Sequence, residues 1–192
     1  MENRIEDFSV EELVNPKFIN AKLVKFRQNG ILKSWEVVEA FDSVAILIYH
    51  KEKRAFILVK QFRPAVYMKN RDGMTVELCA GIVDKDLSLE EIAKEEVLEE
   101  CGYLVSTSNI EKITSVNSAV GFAGSKQTIF YVEVDETLHV GSGGGIENEL
   151  IEVIELPVDE VKEFIYNEDI TKTTGLLFAI MWWLDRNGYH LN

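Results

Sequence analysis

Between residues 23 and 67 the apolar positions cluster into β-branched and aromatic runs separated by turn signals: 23–28, then Asn29-Gly30, 33–41, 43–50, the charged turn 51–54, and 55–62. Asn-Gly and a short charged turn between such runs predict hairpins. A loop over 68–73 and a strand over 75–79 follow, ending at Ala80-Gly81. The next periodic stretch predicts a helix that begins at Ser88, where Ser88 and Glu91 fit a capping box, and stops at Gly102. Strands are predicted over 110–115, 128–134 and 152–156, with a flexible glycine-rich loop at 141–145. Two helices, about 158–166 and 172–187, close the chain. Strands and helices interleave without a regular βαβ rhythm and without internal repeats. This predicts an α/β fold built on a mixed sheet flanked by helices.

Composition narrows the function. The chain has 192 residues, 46% hydrophobic and 28% charged, enough for one sizeable core. With 33 acids against 20 bases the formal net charge is −13, which repels a polyphosphate backbone, so no nucleic-acid partner is expected. The apolar stretch 175–184 is about half of the roughly 20 residues needed to cross a bilayer, so no membrane partner is expected either. The acidic N-terminus lacks the features of a signal peptide, and a cytoplasmic location is expected. In a reducing compartment Cys79 and Cys101 read as buried thiols. His50, His139 and His190 are scattered without neighbouring ligand residues and support neither a zinc site nor a Ser/His triad.

The helix at 88–102 carries the chemistry. At about 100° per residue with Leu89 at zero, Ile92 and Ala93 fall near 300° and 40°, while Glu96, Glu99 and Glu100 fall near 340°, 280° and 20°. Three carboxylates therefore share the apolar stripe, where burial is costly without a proton or a cation. Oxygen ligands one helical turn apart suit a hard divalent ion such as Mg²⁺. Glu90, Glu91, Lys94 and Glu95 lie elsewhere on the wheel and read as solvated.

The run Gly81 to Tyr103, GIVDKDLSLEEIAKEEVLEECGY, resembles the Nudix box, G-x5-E-x7-R-E-U-x-E-E-x-G-U, with Gly81, Glu96, Val97, Glu99, Glu100 and Gly102 in register. Leu87 stands where the pattern has Glu, and Glu95 where it has Arg, two residues understood to pair in that family and orient the metal-binding glutamates. The segments RQNG (27–30), KSWE (33–36), VKQFRPAVY (59–67) and TVELCAG (75–81) extend the resemblance to the Nudix hydrolases that split nucleotide sugars, related to the ADP-ribose pyrophosphatases. The resemblance implies an α/β/α sandwich around a mixed sheet. It also implies an N-terminal antiparallel β extension over 1–40 that helps build a homodimer, with the hydrolase domain over 41–192.

The same resemblance implies the site. Mg²⁺, with Mn²⁺ as the substitute, would be held by Glu96, Glu100, the carbonyl of Ala80, Glu99 directly or through water, and Glu149. Glu147 would orient and deprotonate the water, and the roles of Glu147 and Glu149 are interchangeable on sequence alone; Glu99 is the other catalytic candidate. Arg63, with a planar fork suited to phosphate, is expected to bind the diphosphate; a surface ion pair is the competing account. Lys60 is a further candidate for the substrate. Trp35 is placed to stack on the nucleobase or to pack at an interface. Glu77 reads as an acid supporting the site or a strand residue facing water. Ala119-Val120-Gly121 stands where many ADP-ribose relatives have Ser-Pro-Gly, which favours a UDP-sugar. The expected activity is Mg²⁺-dependent hydrolysis of a nucleoside diphosphate sugar, UDP-glucose to UMP and glucose 1-phosphate. The alternatives are ADP-ribose hydrolysis, or a nucleotide-binding module with weakened catalysis.

Overall fold

Residues 5–146 and 149–190 are described by the structure, a computed structural model. A separate hairpin of β1 (Asn20–Gln28) and β2 (Ile31–Glu39) turns at Asn29-Gly30, both with positive φ, the geometry that a two-residue hairpin turn demands. The main sheet comprises β3 (Ser43–His50), β4 (Ala55–Phe62), β5 (Met74–Glu77), β6 (Cys79–Ile82), β7 (Glu111–Asn117), β8 (Lys126–Val134) and β9 (Ile151–Pro157). Its order is β5-β4-β3-β8-β7, with β6 also on β3 and β9 on β4; β3 and β8 run parallel and the other pairs antiparallel. The helices are α1 (Pro64–Asn70), α2 (Leu89–Cys101), α3 (Val161–Tyr166) and α4 (Thr174–Arg186).

Strand alternation divides the core into two layers. Val44, Ile46, Ile48, Ile57, Val59, Phe130 and Val132 face one way and pack against Ile92, Ala93, Val97 and Cys101 of α2. Ala45, Leu47, Phe56, Leu58, Ile129 and Tyr131 face the other way, onto Leu176, Ile180 and Trp183 of α4 and Val161 and Phe164 of α3. The result is the expected α/β/α sandwich, in which α2 is pressed onto the sheet beside β6.

Two elements differ from the pattern reading. Residues 68–73 are not all loop, because α1 runs to Asn70: Pro64 takes its first turn and left-handed Arg71 ends it. None of its residues is buried, so no apolar period announces it. The strand over 75–79 is two strands broken at Leu78, β5 pairing with β4 and β6 with β3. That change of partner puts Ala80 and Gly81 under α2. Cys79 and Cys101 are both free and buried, and no helix among the described residues is long and apolar enough to cross a membrane.

Candidate active site

α2 begins with the capping box. Ser88 Oγ accepts from the Glu91 N–H at 3.2 Å, and the Glu91 carboxylate accepts from the Ser88 N–H at 2.9 Å. The helix then carries Glu100 into the core, 5% exposed, where its Oε2 accepts from the Ala80 N–H at 2.9 Å. Glu96, one turn back, and Glu99, the residue before Glu100, are half-buried. Glu96 occupies the space left by Gly81, since a Cβ there would lie 1.9 Å from its Oε1. A glycine on β6 thus lets a carboxylate of α2 lie against the sheet.

No described residue donates a hydrogen bond to Glu96 or pairs with it, and Glu100 has no cationic partner among them. Their protonation reflects this. Burial, then the charge of Glu99, pushes Glu96 up to about 7 against a downward pull from Lys85. Burial also raises Glu100 to about 7, although the Ala80 N–H and the Cys79 thiol favour its charged form. Among the described residues no three His, Cys, Asp or Glu side chains are gathered closely enough to hold a metal ion as they stand. The fit to a divalent ion therefore rests on donor chemistry: hard oxygen ligands, partly or fully buried, without a counter-charge.

The glycine loop that precedes the second acidic element docks on α2. Glu147, the expected base, lies outside the described residues. Glu149 lines the same recess as Glu96 and Glu100, and its Oε2 accepts from the Ile146 N–H at 3.1 Å. The loop leading to it is docked on α2 rather than free: the Gly144 N–H donates to the Glu100 carbonyl at 2.9 Å and the Gly145 N–H to the Glu99 carbonyl at 3.0 Å. Carbonyls in a last helical turn lack intrahelical donors, so the loop supplies them. The approach is close enough to require glycine. A Cβ on Gly143, whose φ is +62°, would lie 2.2 Å from the Glu100 carbonyl oxygen, and one on Gly102 would lie 1.9 Å from that of Gly141. Within the segment read from sequence as flexible, Gly144 and Gly145 are thus hydrogen-bonded to α2.

Arg63, between the end of β4 and the first turn of α1, lines the same recess. Its Nε and Nη2 donate to the two carboxylate oxygens of Glu77 at 2.7 and 2.8 Å, and Thr75 Oγ1 donates to Glu77 as well. Burial works against the charge on Glu77, but the Arg63 fork and the Thr75 hydroxyl hold it below the usual carboxylate range. Nη1 of Arg63 makes no such bond, which leaves donors for a ligand. Lys60 is not brought here. It alternates to the face of β4 shared with Phe56 and Leu58 and lines a different groove with Asp72 and Phe164. Trp35 is also outside the recess: it is 58% exposed on β2, and its Nε1 donates to the Gly121 carbonyl at 2.7 Å.

Two recesses of about 520 and 550 Å³ share Phe18, Ile82, Glu96 and Glu149 in their walls. The first holds Arg63, Glu77 and Glu100, with the neutral side chains Ser43, Gln61 and Gln127. The second holds Asp84, Lys85 and Glu99. Gln61 was within reach of sequence reasoning, since it follows Ile57 and Val59 on the α2 side of β4. Phe18 and Phe41, which also line the first recess, carry no pattern that marks them.

A search of protein families matches the NUDIX domain to residues 40–174. Uridine diphosphate glucose pyrophosphatase of Bos taurus is 39% identical, with 93% of this chain and 94% of that protein covered. The protein of the same name from Mus musculus is 38% identical, with 98% of each covered. GDP-mannose pyrophosphatase of Pectobacterium atrosepticum is 40% identical over 71% of this chain and 70% of its own. The chain belongs to the Nudix family and is a Nudix pyrophosphohydrolase.

Proposed function

We propose that this protein hydrolyses the diphosphate of a nucleoside diphosphate sugar in a Mg²⁺-dependent reaction, converting UDP-glucose and water to UMP and glucose 1-phosphate. The observation that carries the reading is the recess in which Glu96 and Glu100, without a cationic partner among the described residues, share a wall with Arg63. Similarity over nearly the whole chain to uridine diphosphate glucose pyrophosphatases supports the choice of UDP-glucose over GDP-mannose, whose pyrophosphatases match a shorter part.

In this reading Glu96, Glu100, Glu149 and the Ala80 carbonyl hold the cation, Mg²⁺ or in its place Mn²⁺, and Glu99 contacts it directly or through water. A divalent ion bound there would neutralise charge on the diphosphate and make phosphorus more open to attack. Arg63, fixed by Glu77, gives its remaining donors to phosphate oxygens, so the guanidinium is oriented before substrate arrives. Glu147 takes the proton of the attacking water, with Glu149 as the other candidate. Phe18 and Phe41 offer apolar surface to the nucleoside or sugar.

The exposed hairpin is read as a homodimer contact. Leu23, Val24, Phe26, Ile31, Leu32 and Trp35 are all exposed on a two-stranded ribbon, which is marginal without a further partner. Free Cys79 and Cys101 support a reducing, cytoplasmic location.

The test is incubation of the purified protein and Mg²⁺ with UDP-glucose, GDP-mannose or ADP-ribose, with products separated by chromatography. UMP and glucose 1-phosphate are expected, with kcat/KM for UDP-glucose about tenfold or more above the others. Failure to turn over all three would contradict the enzymatic reading and leave a binding module.

A further inference from the structure

Lys85 Nζ lies 2.6 Å from Glu95 Oε2 and donates a hydrogen bond to it. The pair joins two parts of the molecule. Lys85 belongs to the connection between β6 and α2, and Glu95 precedes Glu96 on the helix. The connection is fixed at one end by the Val83 N–H, which donates to the Asp42 carbonyl at 2.8 Å, and at the other by the capping box at Ser88. Between these anchors the Lys85–Glu95 bond ties the connection to the second turn of α2. Lys85 also shares the second recess with Glu96, Glu99 and Glu149, and among the described residues it is the only lysine or arginine in that recess wall. Leu87, which stands in the same connection where the resembled motif has an acid, is 40% exposed and supplies no charge.

We infer that the Lys85–Glu95 ion pair positions the carboxylate face of α2, with the cation on the connection and the anion on the helix, a polarity opposite to that of the motif pair this chain lacks. The inference rests on the proposed metal site. Both partners are partly exposed, at 46% and 39%, and pairs of that kind add little to global stability. Their effect is local. Glu95 fixes the Lys85 ammonium beside the acidic recess, and Lys85 in return restrains the backbone from which Glu96 projects. A positioning role and a simple charge effect make opposite predictions. If only charge mattered, removing the Lys85 cation would tighten binding of a metal ion and removing the Glu95 anion would weaken it. If the bond positions the helix face, either removal weakens binding.

The experiment is Mn²⁺ binding to the substrate-free full chain, read by loss of the free-ion electron paramagnetic resonance signal. It compares the unaltered protein with Lys85→Gln, Glu95→Gln and the swapped double variant Lys85→Glu/Glu95→Lys, with thermal melts alongside. Both single variants are expected to weaken Mn²⁺ binding about tenfold while Tm moves by less than about 3 °C. The swap, which restores the bond at unchanged net charge, is expected to recover most of the loss. Changes of opposite sign in the single variants would overturn the inference, as would a swap no better than either. Unchanged Mn²⁺ affinity with a raised KM in Lys85→Gln would overturn it too, assigning Lys85 to substrate instead. Absence of Mn²⁺ binding by the unaltered protein would overturn the metal reading itself, and this inference with it.

Discussion

The Glu96 carboxylate lies in the space that a side chain on Gly81 would fill, 1.9 Å from an added Cβ to Oε1. Gly81 does not have a positive φ, so alanine there suits the backbone, and the three atoms nearest an added Cβ all belong to the Glu96 side chain. Gly81→Ala should therefore keep the fold and displace Glu96, lowering kcat by about 10-fold or more, in keeping with the sensitivity of metal sites to ligand placement. Steady-state kinetics with a circular dichroism melt check this. Full activity would show that Glu96 does not need its observed place.

Gly143 tests the coupling of the two acidic elements. A Cβ there meets backbone, 2.2 Å from the Glu100 carbonyl oxygen, and the residue is held at positive φ. Neither constraint can be relieved by turning a side chain. Gly143→Ala should push the loop off the end of α2, lose the Gly144 and Gly145 hydrogen bonds, and lower kcat together with a loss of about 1–3 kcal/mol in stability. Gly121→Ala, at a site with open space and no positive φ, is the control and should be near neutral. Hydrogen exchange at Gly144 and Gly145 reports the undocking directly, and unchanged protection in Gly143→Ala would contradict it.

Stability should depend on pH in a direction set by Glu96 and Glu100. Both are raised to about 7 by burial, whereas unfolded carboxylates titrate near roughly 4.3. Between these values the folded chain keeps protons that the unfolded chain has released, so these groups lower the stability of the metal-free protein as pH rises from about 4.5 to 7. Glu77 acts in the opposite sense: its lowered pKa contributes stability above the unfolded value that is lost as pH falls through the folded one. A cation bound to the ionised acids would offset the loss at high pH. Millimolar Mg²⁺ should raise Tm by several degrees at about pH 7.5 and hardly at all at about pH 5, and Glu96→Gln/Glu100→Gln should abolish the difference. Thermal melts in chelator and in Mg²⁺ measure this, and an equal Mg²⁺ effect at both pH values would contradict the account.

How far the sequence could be read follows from where each signal resides. The capping box at Ser88 and Glu91, the stop at Gly102 and the Asn29-Gly30 turn are local, and all appear as expected. The placement of Glu100 among Ile92, Ala93 and Val97 follows from helical period alone. Long-range pairing leaves no such trace: the break at Leu78 and the bidentate grip of Glu77 on Arg63 arise only when β4, β5 and β6 are assembled. Lys60 shows the converse. Its charge made it a candidate, but strand alternation turns it to the other face of the sheet. The glycines at 141–145 suggested mobility, whereas at Gly143 close packing against the backbone of α2 is what requires glycine.

The central claim is that the carboxylates of α2 hold a divalent cation for diphosphate hydrolysis, and Glu100→Gln tests it most directly. The amide keeps the size and an acceptor for the Ala80 N–H while removing the charge. The rate of UMP release from UDP-glucose at saturating Mg²⁺ should fall by at least about 100-fold with the circular dichroism spectrum unchanged. A variant that releases UMP at the rate of the unaltered protein would contradict the account.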